Sequence, residues 1–424
     1  MEKFVIKGGN PLNGEIEVGG AKNAAFPLLV SSILTNKDVI IENLPLIEDV
    51  FRIVEILEGM GAKVEWIGKR AVKINTKNLD PKKINKNIVE LLRGSVLLFG
   101  PLLARFGKIY LPQPGGCVIG ARPIDTHLDA FSQLGVKVKP MKDGFELSLK
   151  KKPKNMEVIL NEFSPTATEN ILLFASLMPG SITLKTADQD YQVQELITVL
   201  KKMGVKITMK KAHTLVIEGK AKLKGFTHKL MYDPIEAGTF ILMGAATSGT
   251  ITVKNCELDF LELFLKKLGD FGVQFDIVKR MGRRGDVRVY ESNNIKIDKI
   301  QTLIFPGLAS DFQSAFGVLA TKSPGSTLLH DPMYEGRLKY LEELNKMGAE
   351  IYFTDPHRAI INGPTQLYGT NLGTYDLRGG AALIIAALIA RGTSTINNIY
   401  QVDRGYERIE ERLQKLGADI QRVS

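Results

Sequence analysis

Polar and apolar positions along this chain follow a phrase that returns six times. In each return an amphipathic stretch rich in Leu, Lys and Glu runs into a glycine, and a short alternating stretch follows. Apolar residues three and four apart predict a helix with one buried face, and alternation predicts a half-buried strand. A glycine suits the helix C-terminus between them. Lys339-Tyr340-Leu341-Glu342-Glu343-Leu344-Asn345-Lys346 shows the helical pattern, and Lys206-Ile207-Thr208-Met209 the strand. The marker glycines, Gly61, Gly135, Gly204, Gly272, Gly348 and Gly417, stand 74, 69, 68, 76 and 69 residues apart. A repeat of that length exceeds the common solenoid units.

Two more elements precede the amphipathic helix in most copies. One is a short strand opened by glycine, as in Gly180-Ser181-Ile182-Thr183-Leu184, Gly249-Thr250-Ile251-Thr252-Val253 and Gly392-Thr393-Ser394-Thr395-Ile396. Before it comes an apolar stretch such as Gly379-Gly380-Ala381-Ala382-Leu383-Ile384-Ile385-Ala386-Ala387. Near-continuous apolarity predicts a helix buried on all sides. Six mixed helix–strand units predict an α/β (α+β) fold in two domains of three units each. The break falls between the third and fourth units, near Met231-Tyr232-Asp233-Pro234. The segment from Lys3 to Val18 precedes the first unit and is expected to complete the last sheet of the second domain. The expected domains are therefore residues 22–232 and residues 1–21 plus 233–424. Such a chain crosses between domains twice, near Gly20-Ala21 and near Asp233. A double crossover makes a hinge, and a cleft between two lobes is the default place for a site.

At 424 residues, the length itself favours two cores over one. The composition, 44% hydrophobic and 24% charged, is that of a folded soluble protein. No apolar run approaches the roughly 20 residues of a membrane span. The start, Met1-Glu2-Lys3-Phe4-Val5-Ile6, lacks the apolar core of a signal peptide. Only Cys117 and Cys256 occur, which excludes a disulfide framework and fits a reducing cytoplasm. Five histidines without clustered Cys/His spacing argue against a metal site, and neither metal nor cofactor is expected. The net charge of +10 points to nucleic acid, a membrane surface or small anionic substrates. The surplus lies in scattered lysines such as Lys82-Lys83 and Lys150-Lys151-Lys152, without interleaved aromatics. That pattern reads as solvated faces rather than a nucleic-acid stripe.

The chemistry concentrates in Gly115-Gly116-Cys117-Val118-Ile119-Gly120-Ala121-Arg122-Pro123, followed by Ile124-Asp125-Thr126-His127. Three glycines around one cysteine permit a loop that folds closely over a ligand. Arg122 offers a planar fork for phosphate or carboxylate, and a thiol beside a fixed cation suits proton or nucleophilic chemistry. The same residues also suit an ordinary glycine turn with a buried, inert thiol.

With the six units in view, the chain resembles the enolpyruvyl transferases over essentially its whole length. Three motifs carry the resemblance: the cysteine loop, Gly19-Gly20-Ala21-Lys22-Asn23-Ala24-Ala25, and Val402-Asp403-Arg404-Gly405-Tyr406-Glu407-Arg408-Ile409. The cysteine loop is similar to that of the branch acting on UDP-N-acetylglucosamine, whereas the branch acting on shikimate phosphate has no counterpart. The resemblance implies a two-lobed inside-out α/β barrel built from six βαβαββ-like units, three per lobe. It implies transfer of the enolpyruvyl group of phosphoenolpyruvate to the sugar 3-hydroxyl with release of phosphate. That is the first committed step of peptidoglycan precursor synthesis, on which cell shape and division depend. Both substrates are small molecules in the cytoplasm; no nucleic acid or membrane partner is implied. Cys117 takes the role of the acid that protonates the methylene carbon and of the thiol alkylated by fosfomycin. Lys22, Arg122 and Arg404 converge on the phosphoenolpyruvate anion, with Asn23 beside the tetrahedral centre. Asp311 takes the general-base position, and Asp376 is the nearby acidic alternative. Arg93, Pro123, Ile124, Asp125, His127, Ser164, Met333 and Arg378 match positions lining the nucleotide sugar. Asp125 also suits a helix cap, and His127 equally suits packing.

The match weakens in the third unit. Pro165-Thr166-Ala167-Thr168 replaces a glycine-containing phosphate loop after Ser164, although the two threonine hydroxyls also suit phosphate. Glu162 stands where a basic residue is frequent, and Asp188-Gln189-Asp190-Tyr191-Gln192 replaces an acidic-proline segment. Gly336, between Glu335 and Arg337, replaces an asparagine. All of these fall on the acceptor side, so transfer to a different hydroxylated acceptor stays open, as does a non-catalytic anion-binding role.

Overall fold

The structure, a computed structural model, describes residues 2–116, 119–120 and 122–424. Each repeat runs in one order: an apolar helix, a strand, an amphipathic helix ending near the marker glycine, and a hairpin. The six apolar helices are α1 (Lys22–Ser31), α2 (Phe99–Phe106), α3 (Pro165–Ala175), α4 (Pro234–Thr247), α5 (Ser310–Ala320) and α6 (Leu377–Ile389). All residues of α4 are buried, as are those of α6 from Leu377 to Leu388, which accounts for the lack of a polar face in their sequences.

The marker glycines explain the repeat physically. All six adopt left-handed backbone, with φ between +79° and +103°. A side chain there meets the following carbonyl, so glycine is the residue of choice. In five of the copies the next residue closes the helix by donating to the carbonyl five residues back. These bonds run from Ala62 to Leu57, Val205 to Leu200, Val273 to Leu268, Ala349 to Leu344 and Ala418 to Leu413.

The strands form six sheets, five of four strands and one of three. Each four-stranded sheet adds one parallel edge strand from a neighbouring repeat to an antiparallel trio. Phe226–Lys229, after the third repeat, pairs with Val39–Glu42 of the first. The segment before the first repeat splits its duty. Lys3–Lys7 lies between Thr393–Asn397 and Asp419–Val423 and completes the last sheet as expected. Asn13–Glu17 instead joins the fourth repeat's sheet, parallel to Thr250–Glu257. In the terminal unit these edge strands link the three sheets into a closed ring, whereas the inserted unit lacks the link from its first repeat to its second. The three-stranded exception follows the first repeat, where a 3-10 turn at Pro81–Lys83 stands in place of an edge strand. Pro81 has no N–H for a ladder, and the Asp80 carboxylate accepts from Lys82 N–H to fix the turn.

The chain divides into a terminal unit, Met1–Gly19, Cys117–Ala121 and Tyr232–Ser424, and an inserted unit, Gly20–Gly116 and Arg122–Met231. Ala21 N–H donates to the Met231 carbonyl in the inserted unit, and Asp233 N–H to the Gly19 carbonyl in the terminal one. The boundaries thus fall at 19/20 and 231/232, where the sequence placed them at 21/22 and 232/233. In the terminal unit α4, α5 and α6 pack on one another in every pairing. In the inserted unit α2 packs on α3, while α1 lies against the helix Tyr191–Met203. No helix among the described residues is long and apolar enough to cross a membrane.

Candidate functional site

In the inserted unit, Lys22 opens α1, where the positive end of the helix disfavours a cation. The Asp49 carboxylate offsets this at 2.8 Å from Nζ, with both side chains nearly covered. Asn23 follows, half-buried. Gly115 and Gly116 lay the first limb of the cysteine loop against the segment 90–93. A Cβ on Gly115 would stand 1.5 Å from the Glu90 carbonyl oxygen, and one on Gly116, at φ +124°, 2.8 Å from Arg93 Cβ. Close approach of backbone is therefore what these glycines supply. Cys117, Val118 and Ala121 lie outside the described residues. Arg93 holds the second limb, its Nη2 donating to the Pro123 carbonyl at 2.9 Å.

Arg122 is half-buried, and Pro123 and Asp125 are exposed. Ile124 faces the core at 3% exposure, so its side chain packs and its backbone remains the part near the loop. Asp125 begins the helix Asp125–Gln133, at the end that favours an anion. His127 is buried: Nδ1 faces the Asn170 amide at 2.9 Å and Nε2 the Thr166 hydroxyl at 3.2 Å. Burial, with the Arg93 charge adding to it, pushes its pKa down to about 3. A neutral imidazole inside the fold cannot serve as a cation toward phosphate. Ser164 caps α3, its hydroxyl accepting from Ala167 N–H at 3.3 Å. The Thr126 hydroxyl donates to Glu162 at 3.1 Å.

In the terminal unit, Asp311 lies in the first turn of α5 between two guanidinium groups. Arg337 Nη2 stands 2.6 Å from one carboxylate oxygen and Arg378 Nη2 3.3 Å from the other. Arg337 Nε also donates to the Ser310 hydroxyl, and Ser310 to the Asp331 carboxylate. Arg378 Nη1 donates to the Tyr406 hydroxyl at 3.1 Å, which in turn contacts the Thr239 hydroxyl. The two acidic candidates now separate. Asp376 is the N-cap of α6, its Oδ1 accepting from Arg378 and Gly379 N–H, and its side chain is 4% exposed. The Asp311 side chain is 24% exposed, and the N-cap of α5 is Ala309. Only Asp311 keeps its carboxylate turned partly outward. Met333 is exposed, its N–H spent on Asp331, which leaves the carbonyl as its backbone contact. Arg404 is buried at the end of the short helix Tyr400–Asp403, with Nη1 on the Gln401 side chain at 3.2 Å.

Also in the terminal unit, Gly336 N–H donates to the Ile119 carbonyl at 2.9 Å, and a Cβ on Gly336 would stand 2.8 Å from the Ile119 carbonyl carbon. The departure at Gly336 thus makes room for Ile119. Cys256 is fully buried, its thiol donates to the Val253 carbonyl, and burial pushes its pKa up to about 12. It is a packing residue without thiolate at neutral pH. No group of His, Cys, Asp and Glu able to hold a metal occurs among the described residues. Arg337 and the pair His127–Asn170 were not legible as partners in the sequence; each lies dozens of residues from the groups it orients.

Comparison with known proteins agrees over the full chain. The family model described as EPSP synthase (3-phosphoshikimate 1-carboxyvinyltransferase) matches residues 6–413. A Treponema denticola protein named UDP-N-acetylglucosamine 1-carboxyvinyltransferase is 38% identical over 424 residues, 99% of each chain. A Koribacter versatilis protein of the same name is 38% identical over 427 residues, covering all of this chain and 97% of its own. The fold is similar to that of the enolpyruvyl transferase NikO from Streptomyces tendae, with a TM-score of 0.89 at 24% identity over 100% and 99% of the two chains. It is also similar to an EPSP synthase from Acinetobacter baumannii, with a TM-score of 0.77 at 16% identity over both full chains.

Proposed function

The chain belongs to the EPSP synthase (3-phosphoshikimate 1-carboxyvinyltransferase) family, and from that membership we infer that it is an enolpyruvyl transferase acting on UDP-N-acetylglucosamine. It transfers the enolpyruvyl group of phosphoenolpyruvate to the sugar 3-hydroxyl and releases phosphate, the committing step of peptidoglycan precursor synthesis. The observation that carries the acceptor is the full-length identity to relatives named for that nucleotide sugar. The reaction needs a proton on the methylene carbon of phosphoenolpyruvate while the hydroxyl oxygen bonds to the neighbouring carbon and gives up its own proton. Phosphate then leaves as the methylene carbon loses a proton. We assign the donated proton to Cys117 and the accepted one to Asp311, whose orientation Arg337 and Arg378 set. Lys22, Arg122 and Arg404 neutralise the carboxylate and phosphate, Asn23 stands beside the tetrahedral centre, and Arg93, Asp125, Ser164, Met333 and Arg378 line the acceptor. Cys117 is likewise assigned as the thiol alkylated by fosfomycin, and the cytoplasm as the place where both substrates are met.

Phosphate release from phosphoenolpyruvate, measured with and without UDP-N-acetylglucosamine, tests the reading. Release that depends on the nucleotide sugar is expected, and its absence refutes the assignment. In the same assay Asp311→Ala is expected to lower kcat by about 100-fold or more, while nucleotide-sugar affinity changes much less. Near-normal turnover of that variant removes Asp311 from the base role.

A further inference from the structure

Arg404 follows a piece of chain too short to fix itself. The helix Tyr400–Asp403 has four residues, and a helix of that length has no stable shape of its own, so its place is set by what holds it. On the far side of Arg404 the anchor is Tyr406, whose hydroxyl joins Arg378 and Thr239. On the near side it is Asp403. Both oxygens of that carboxylate accept from Arg422 in the strand Asp419–Val423, Oδ2 from Nη1 at 2.9 Å and Oδ1 from Nη2 at 2.7 Å. Arg422 also grips Glu410, with Nε at 2.8 Å and Nη2 at 3.2 Å from its two oxygens, and its Nη1 lies 3.0 Å from a Glu2 oxygen. A guanidinium has five N–H donors, and these bonds use them all. The guanidinium lies over the ring of Phe4, 5.0 Å from its centroid, so it is seated on the interior strand of the last sheet.

A two-point grip fixes the rotation of the Asp403 carboxylate as well as its position, which an ammonium group could not do. The backbone that leads into Arg404 is therefore tied to the sheet through one side chain. Behind Arg404 the turn is equally tight: Gly405 and Tyr406 N–H both donate to the Val402 carbonyl, and a Cβ on Gly405 would stand 2.5 Å from Leu377 Cδ2. Arg404 itself is buried, so small shifts of this turn move its guanidinium with little room to compensate. A cation that meets a small dianion must be placed to within a fraction of an ångström to be effective. We propose that Arg422 is a positioning residue for the transfer, which through Asp403 sets the place of Arg404 and so the affinity for the phosphoenolpyruvate anion. The proposal rests on the role given to Arg404 above and deepens it.

Steady-state kinetics of the full chain, with each substrate varied in turn, test it. Arg422→Met keeps an unbranched stem and removes the fork. It is expected to raise KM for phosphoenolpyruvate about tenfold and to leave KM for UDP-N-acetylglucosamine within about twofold. Arg422→Lys, which keeps the charge without the two-point grip, is expected to fall between wild type and Arg422→Met. Asp403→Asn keeps the shape and weakens the grip from the other side, so a selective rise of about threefold is expected even where loss of Arg422 prevents folding. Arg404→Lys is expected to raise the same KM, and the double variant with Arg422→Met to be no worse than Arg404→Lys alone, because Arg422 acts through Arg404. A merely structural role would move both KM values alike. Equal rises in the two, an unchanged KM for phosphoenolpyruvate in Arg422→Met and Asp403→Asn, or full additivity with Arg404→Lys each overturn the proposal. Silent Arg422 variants beside an impaired Arg404→Lys sink the proposal alone, whereas a silent Arg404→Lys removes the role of Arg404 and the proposal with it. Calorimetric titration with phosphoenolpyruvate reads the same affinity without turnover. Weaker binding by Arg422→Met there supports the proposal even where UDP-N-acetylglucosamine elicits no phosphate release and the inferred activity falls.

Discussion

Glu169 sits in α3 with no exposed surface, and neither of its carboxyl oxygens has a hydrogen-bond partner among the described residues. Burial holds its pKa well above the ordinary carboxylate range, and the Asp188 and Asp190 charges push it further up. The unfolded group titrates near the ordinary value of 4.5, so the folded chain binds this proton more tightly than the unfolded one. Its contribution to stability is full below the unfolded pKa and is lost as pH rises through the folded pKa. Glu169→Gln preserves the shape and removes the ionisation. Its melting temperature is expected to exceed that of wild type by a few degrees at pH 8 and by less at pH 5, measured by calorimetry. Equal differences at the two pH values would show that Glu169 does not titrate in this range. At this same scale the sequence identified residue types better than their surroundings. Lys22, Arg93, Asp311 and Arg378 stood out as cations and acid within motifs, yet the Asp49 that holds Lys22 and the Arg337 that holds Asp311 did not. Those partners are set by tertiary packing, which no local pattern records.

Among the elements, the repeat was legible because a single backbone requirement recurs. A helix that turns at once into a hairpin needs a left-handed residue, and glycine marks it six times. Gly204 isolates that requirement: φ is +103°, and the nearest atom to an added Cβ is Lys220 Nζ at 3.7 Å. Gly204→Ala therefore meets backbone strain without a clash. A loss of about 1 kcal/mol in urea unfolding is expected, with a smaller loss for Gly204→Asn. An alanine variant as stable as wild type would mean that the turn relaxes to negative φ. Edge strands were less legible. Lys299–Gln301 and Asn371–Gly373 are three residues long, too short for alternation to register. Their position follows from the need of each trio for a parallel neighbour, which is known only once the sheets are closed. The same need makes sense of Pro81, whose missing N–H ends one ladder early.

For the molecule as a whole, closure of its ring makes the terminal unit depend on residues remote from it in sequence. Lys3–Lys7 is an interior strand, hydrogen-bonded on both edges, and Phe4 and Ile6 are completely buried. Removing residues 1–8 takes out the middle of the sheet formed with Thr393–Asn397 and Asp419–Val423. It also opens a cavity where Phe4 packed, and the loss of one such ring costs about 3–5 kcal/mol, a large share of the stability of an ordinary domain. The inserted unit has no strand from this segment, and its first sheet is closed by its own Phe226–Lys229. Deletion of residues 1–8 is therefore expected to unfold the terminal unit and spare the inserted one. Limited proteolysis followed by mass spectrometry should leave a resistant fragment near residues 20–231, with residues 232–424 digested. Resistance of both parts would show that the last sheet holds without its central strand. Digestion of both at the same rate would show that the inserted unit draws its stability from the terminal unit, although its sheets pair among themselves.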